Sequence, residues 1–423
     1  MPSHRIVLAT FGSLGDLHPY LALAQELKRR GHHPVVATLA IYRDKVESAG
    51  FEFRLLRTAH VEHPDGELMQ KALDPRDGAE FIVRKLVMPL LTIAYRDALS
   101  AFEGAALVVV HQLTLAARLA AESMQIPWVF TQLAPMGFLS AYDPPVLPIL
   151  PSLTGLRLLG PAFFRPLLSL AKRSTRSWTR SYHDLRSELG LPASGNPLFE
   201  GAYSPDLVLA LFSRTLGERQ PDWPPRTIIT GFPFYDGEDA ALTPELESFL
   251  RRGDPPIVFT LGSSAVLDAG RFYQDSADAA RLLGRRAVLL VGSEKANIPA
   301  GLPASILAIN YAPYSLLFPR CGAIVHQGGV GTTGQAMRSG RPMLVMPYAL
   351  DQPDNAERVR RLGIARVISR KQYSSSAAAR ELKILLETDQ YRQRSESVSR
   401  SVASENGAET AGDHLERLLS KSV

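Results

Sequence analysis

IVHQGGVGTTGQAMRSGRPMLVMPYALDQPDN, residues Ile324 to Asn355, reads as a strand end, a histidine, a glycine-threonine turn, a helix, a second strand and an Asp-Gln pair. Gly328, Gly329 and Gly331 let backbone come close to a bound group where a side chain would block it. Thr332 and Thr333 place hydroxyls where a helix presents unpaired N–H groups and the positive end of its dipole. That combination is a site for phosphate. Gly340 is placed to end the helix, and Met343 to Met346 reads as the next buried strand.

Two segments of the chain echo each other. RIVLATFGSLGDLHPYLALAQELKRRGHHPVVAT from Arg5 and PPIVFTLGSSAVLDAGRFYQDSADAARLLGRRAVLLVG from Pro255 each give a short apolar strand, a Gly-Ser turn, a helix and a second strand. This is the opening βαβ unit of a doubly wound sheet, used twice. The fold class is therefore α/β, with two Rossmann-like domains assigned to residues 1–236 and 237–423. The boundary falls in the Pro- and Gly-rich tract from Pro221 through Asp236 to Thr243. Thr243-Pro244 reads as the N-cap and first residue of a new helix. A last helix is expected at about Ala408 to Leu419. Residues 57 to 79 read as a polar loop. Pro144 to Phe164 is apolar and broken by prolines, and Arg165, Lys172, Arg173, Arg176 and Arg180 follow it. Those charges fit a solvated helix face, or a lid over an apolar pocket that touches membrane.

The 423 residues suffice for two cores, and 45% hydrophobic with 21% charged residues is ordinary for a globular protein. A net charge of +5 is thin for this length and gives no argument for nucleic acid. Cys321 is the single cysteine, so no intramolecular disulfide forms. No apolar run approaches the ~18 residues of a membrane span. The expectation is a cytoplasmic protein, a monomer or weak dimer, with peripheral membrane contact left open. No His, Cys, Asp or Glu cluster has metal-ligand spacing and no Asp-x-Asp occurs, so neither metal nor other cofactor is expected.

Histidine, two glycines, a glycine-threonine pair, Gly-x-Pro, a strand and Asp-Gln resemble the donor-binding signature of family 1 glycosyltransferases. The match is closer to the bacterial branch with sterol-, macrolide- and glycopeptide-type enzymes than to the plant one. From His326 to Pro342 the chain has one residue more than the plant box, and it lacks that box's opening Trp and the Glu after its histidine. The resemblance implies the GT-B arrangement: two Rossmann-like domains facing a cleft, the first for acceptor, the second for donor. A tail of about residues 403–423 would cross back onto the first domain. It implies inverting transfer of a hexose, by default glucose from UDP-glucose, to a hydroxyl of a small, largely apolar acceptor. A dTDP-sugar stays open. An epimerase of the same fold and an inactive nucleotide-sugar-binding protein are the rivals.

Ligands in such sheets sit beyond the carboxyl ends of the strands. There the first domain offers Gly12 to Pro19, His111-Gln112 and Gln132 to Phe138. Asp16 is a good helix N-cap and also a candidate base. His111, with an unperturbed pKa of about 6.5 against about 3.9 for a carboxyl, suits neutral pH better. A carboxylate on one ring nitrogen would fix the histidine's tautomer. Plant enzymes carry the pair exchanged; the bacterial branch often has Gly-x-x-Gly-Asp-x-x-Pro with the aspartate proposed as base. His326, the N–H groups around Gly331, Thr332 and Thr333, and Gly262-Ser263 are expected on the diphosphate. Tyr311 is expected on the base, or in the core. Asp351 and Gln352 are expected on the sugar, or as caps of the following helix. Met88, Met136 and Phe138 are expected, with the apolar run Pro144 to Leu150, to wall the acceptor pocket.

Overall fold

In the computed structural model of the chain, residues 2–58, 65–149, 151–237 and 240–421 are described. Thirteen strands form two sheets: β1 Arg5–Ala9, β2 His33–Thr38, β3 Glu52–Leu55, β4 Leu107–His111, β5 Trp128–Gln132, β6 Val208–Ala210 and β7 Thr227–Ile229, then β8 Ile257–Thr260, β9 Ala287–Leu290, β10 Ile306–Ile309, β11 Ala323–His326, β12 Met343–Val345 and β13 Ala365–Val367. The first sheet runs 3-2-1-4-5-6-7 and the second 10-9-8-11-12-13, with every pairing parallel. Helices cover both faces, so the strands are apolar without alternation: Leu107–His111 and Ile257–Thr260 are buried throughout. Both sheets reverse order beside their first strand, β1 against β4 and β8 against β11, and crevices open at such switch points.

The first helix spans Leu14–Arg29 and buries Leu17, Tyr20, Leu21, Ala24 and Leu27, the predicted face. Thr243 caps Pro244–Arg251, accepting from Leu246 N at 3.3 Å. The last helix, Gly407–Leu419, lies on the first: Arg30 bonds Glu416 at 2.7 Å and Asp413 at 2.8 Å, and Ala411, Leu415 and Leu419 join the cluster of Leu17, Leu21 and Leu27. The C-terminal segment thus crosses back as the resemblance implied.

Two regions differ from expectation. Of the polar loop at 57–79, residues 59–64 lie outside the described ones, but Gly66–Ala72 is a helix whose cap Asp65 accepts from Leu68 N at 2.8 Å. The proline-broken stretch is helical beyond Leu150, itself outside the described residues: a 3-10 segment Pro151–Leu159 leads into the helix Gly160–Ser174. Proline is tolerated in a first helical turn, and Pro161 sits there. No helix of the described residues is long and apolar enough to cross a membrane.

Candidate active site

The turn after β1 is built around one carboxylate. Ser13, not Asp16, is the N-cap; Asp16 is the third residue of the helix and closes a capping box. Its Oδ2 accepts from Ser13 N at 2.7 Å and Ser13 Oγ at 3.0 Å. Gly12 has φ +128°, and a Cβ there would lie 2.3 Å from Asp16 Oδ2, so glycine is required for the carboxylate to fold back. Oδ1 is left facing His111 Nε2 at 3.6 Å, beyond hydrogen-bond reach.

β1 and β4 pair directly, Ala9 opposite Val110, which carries His111 to this turn. His111 Nδ1 accepts from Leu113 N at 3.3 Å, so in the neutral ring the proton sits on Nε2 and points at Asp16. The side chain of His111 is 1% exposed and that of Asp16 30%. Burial holds the His111 pKa below its ordinary value against the opposing pull of Asp16. The imidazole is neutral and the carboxylate is the group that reaches the cleft, whereas the unperturbed values had favoured the histidine.

Across the cleft, Val330–Ser339 begins at Gly329 and no side chain caps it. A Cβ on Gly331 would lie 3.8 Å from Gly15 Cα, so the N-termini of the two glycine-opened helices meet face to face. Gly328 has φ +88° and lies against the carbonyl of Gln352, 3.0 Å from where its Cβ would be. Thr332 and Thr333 are buried behind this turn, and Thr333 Oγ1 has no partner. Gly262, at φ +66°, lies beside this turn, against the side chain of Gln327, and Ser263 next to it is exposed.

His326 departs from its expected place. It is fully buried; Nδ1 accepts from Gly328 N at 3.0 Å and Nε2 lies 3.4 Å from Met343 Sδ. Alternation along β11 directs residue 326 into the layer beneath the sheet edge. Burial pushes its pKa to about 3, so the ring is neutral and shapes the loop from below. The next residue, Gln327, takes the cleft wall: its amide reaches the space beside Gly262 and Gly329, and Oε1 is buried without a partner. Sequence reasoning passed over Gln327 because it stood beside a histidine.

Asp351 does not cap its helix. Its side chain makes no cap bond and instead accepts from Asn355 Nδ2 at 2.7 Å, while the same amide donates to Gly328 O at 3.0 Å. Asn355, four residues on and so on the same helical face, was legible only as an i, i+4 pair. Loss of water pushes the Asp351 carboxyl up to about 7, with the charge of Asp16 adding to the effect across the cleft. Gln352 Oε1 accepts from Tyr348 N at 2.9 Å and holds the turn. Tyr311 is 64% exposed, so it is not core, and it lies near Asp236 and Tyr235.

The expected acceptor wall is only partly assembled. Phe138 stacks on Trp223 at 4.1 Å and is core, as is Met88; Met136 is half-buried. An apolar cavity lined by Phe11, Leu39, Leu56, Val87, Leu91 and Leu113 lies behind the turn after β1, but at about 30 Å3 it has room for little more than a water and not for such an acceptor. Among the described residues no three His, Cys, Asp or Glu side chains gather as metal ligands would.

Two facing Rossmann-like domains with this cleft define a glycosyltransferase of the GT-B class. Residues 6–142 match the glycosyltransferase family 28 N-terminal domain, and residues 279–418 the erythromycin biosynthesis protein CIII-like C-terminal domain. The chain is 32% identical over 428 residues to O-mycaminosyltylonolide 6-deoxyallosyltransferase of Streptomyces fradiae, covering 96% of both proteins, and it belongs to that family of glycosyltransferases. It is 28% identical over 435 residues to a sterol 3-beta-glucosyltransferase of Neurospora crassa, covering 96% of this chain and 27% of that protein. In fold it resembles the glycotransferase of kitacinnamycin, with TM-score 0.73, 21% identity and coverage of 99% of this chain and 100% of the other. It also resembles the glycosyltransferase VinC in complex with dTDP, with TM-score 0.69, 18% identity and coverage of 99% and 100%. These last two likenesses concern fold alone.

Proposed function

We propose that this enzyme moves a hexose from a nucleoside-diphosphate sugar to a hydroxyl of a small, largely apolar acceptor, with inversion. One observation carries the reading: the Oδ1 of Asp16 that the capping box leaves free stands where the N-terminus of its own helix meets the uncapped N-terminus of Val330–Ser339, with Gly331 against Gly15. Asp16 Oδ1 takes the acceptor's proton. The acceptor oxygen attacks the anomeric carbon from the face opposite the diphosphate. The bond from that carbon to the β-phosphate oxygen breaks, and its electron pair leaves with the diphosphate. Neutral His111, its Nε2–H toward Asp16, orients the carboxylate and does not itself take the proton.

N–H groups at Gly331 and Thr332, the Gly262-Ser263 loop and the amide of Gln327 receive the leaving charge, while the N–H of Thr333 is taken by Gly329 O at 2.9 Å. No metal is needed where a helix N-terminus supplies that stabilisation; transfer that stopped on chelation and returned with a divalent ion would refute this point. Asp351 takes sugar hydroxyls, and exposed Tyr311 stacks on the base. UDP-glucose is the first donor to test. A dTDP-deoxyhexose is the second, because the Streptomyces relative is named for a deoxyallosyl group and VinC was solved with dTDP. The names of that relative and of the sterol enzyme support an apolar acceptor. The test is incubation with UDP- and dTDP-sugars and a panel of phenolic, polyketide, sterol and terpenoid alcohols, read by mass. Gain of one sugar mass on such an alcohol is expected; sugar transfer only to carbohydrates or peptides would overturn the acceptor class.

A further inference from the structure

The helix Gly160–Ser174 is apolar on two sides. Its inner side buries Phe164 and Leu168 against Leu139 and Ala141. On the opposite side Leu159, Phe163, Pro166 and Leu170 are exposed, spaced four, three and four residues apart and so in one line. That line is ~16 Å long at 1.5 Å per residue. Leu158, 99% exposed at the end of the preceding turn, extends it, and Leu170 is 65% exposed. Isolated exposed leucines need no explanation, but a continuous outward stripe does.

Charge says what fits the stripe. Between Asp143 and Asp184 the sequence holds Arg157, Arg165, Lys172, Arg173, Arg176 and Arg180 and no acidic residue. Arg157 is used internally, pairing with Asp143 at 3.2 Å. Arg173, Arg176 and Arg180 are exposed at the stripe's C-terminal end and make no ion pair among the described residues. An apolar line next to unpaired guanidinium groups suits the interface of an anionic bilayer: leucine and phenylalanine enter the acyl boundary and arginine meets headgroup phosphate.

We propose that this insertion docks the enzyme on the surface of an anionic lipid membrane, lying on it without crossing. The base of the insertion is fixed to the second domain. Val146 N donates to Asp354 Oδ1 at 3.0 Å, and Arg358 bonds Asp143 at 2.5 Å and Asp354 at 2.6 Å. Docking therefore holds the bilayer beside the helix Gln352–Arg361. The inference stands on the surface alone and does not depend on which sugar or acceptor is used.

The test is sedimentation of the full chain with phosphatidylglycerol-containing and pure phosphatidylcholine vesicles. Binding to the anionic vesicles should exceed binding to the neutral ones by at least ~10-fold and fall with salt. Leu158→Ser with Leu170→Ser, and separately Arg173→Glu with Arg176→Glu and Arg180→Glu, should each lower partitioning by ~10-fold or more. These positions are solvent-exposed, and circular dichroism with UDP binding checks that each variant is folded. Absence of binding to anionic vesicles, or binding untouched by either set, overturns the proposal. So does concentration-dependent self-association that the leucine changes abolish without any vesicle binding, since the stripe would then join two copies.

Discussion

The two oxygens of the Asp16 carboxylate have separate tasks, and this separation makes the residue testable. Oδ2 is committed to Ser13 and holds the capping box, while Oδ1 faces the cleft and His111. Asparagine at 16 can keep an oxygen on Ser13 N and lose the base. Asp16→Asn should thus keep the fold and UDP affinity and lose ~100-fold or more in turnover. His111→Ala should lose less, and the double variant no more than Asp16→Asn, if the imidazole acts through the carboxylate. A His111→Ala loss equal to that of Asp16→Asn with its own pH dependence would make the histidine the base. Asp351 supplies a second test. Its carboxyl titrates near 7, raised by burial first and by Asp16 in smaller part. Below that pH it is protonated, above it ionised and a better acceptor for sugar hydroxyls. The difference in affinity between UDP-glucose and UDP should therefore rise with pH through about 7. In Asp16→Asn a negative neighbour is gone, so the midpoint should move down. Calorimetry across this range checks both signs, and an unmoved midpoint would separate the two carboxylates.

At the level of elements, the donor loop and the Asp351 turn form one unit because Asn355 bonds both Gly328 O and Asp351. Gly328 is the joint. At φ +88° a side chain costs ~1–2 kcal/mol, and its Cβ would press on the Gln352 carbonyl. Gly328→Ala should lower Tm by several degrees and weaken UDP by ~10-fold, with sugar recognition damaged as well. Loss of stability alone, with normal UDP affinity, would show that the loop is not the phosphate site. This unit also marks how far the sequence could be read. Strand, turn, helix and strand were legible from Ile324 to Asn355 because local rules dictate them: an apolar run, glycines where φ is positive, a glycine stop at Gly340. Side-chain direction was not local. Whether His326 or Gln327 meets the cleft depends on which face of β11 is covered, and the cover comes from Met343 on the neighbouring strand. Phe138 likewise read as a loop aromatic over the sheet edge, yet Trp223 and Tyr203, distant in sequence, draw it into the core.

Across the whole molecule, the two halves of the site belong to different sheets and are joined by two returns of the chain. One is the run from Thr230 to Pro256. The other is the C-terminal segment, whose Asp389–Ala403 helix sits on the second domain through Ser399 Oγ donating to Arg338 O at 2.6 Å. Glu405 then accepts from Arg214 N at 3.1 Å, and Gly407–Leu419 lies on the first helix. Leu415 and Leu419 are buried there, each worth ~1.5–3 kcal/mol, and Arg30 ties Glu416 and Asp413. Every residue proposed for the donor lies between Gly262 and Asp351–Gln352, ahead of this segment, while Asp16 sits in the helix that the segment clamps. A chain ending at Ala403 should consequently bind UDP within ~3-fold of the full protein, about 0.7 kcal/mol. Its turnover should fall by ~10²-fold, the usual cost of a reacting group displaced by about an ångström. Leu415→Ala, expected to cost ~2–5 kcal/mol, gives the same direction in a chain of full length and guards against wholesale unfolding of the shortened one. Calorimetry and initial rates on the two variants separate the outcomes. UDP affinity collapsing together with rate would mean that the donor site needs the tail for its own shape. Full turnover without the tail would mean that the linker and the Asp143–Arg358–Asp354 contact alone keep Asp16 opposite the phosphate turn.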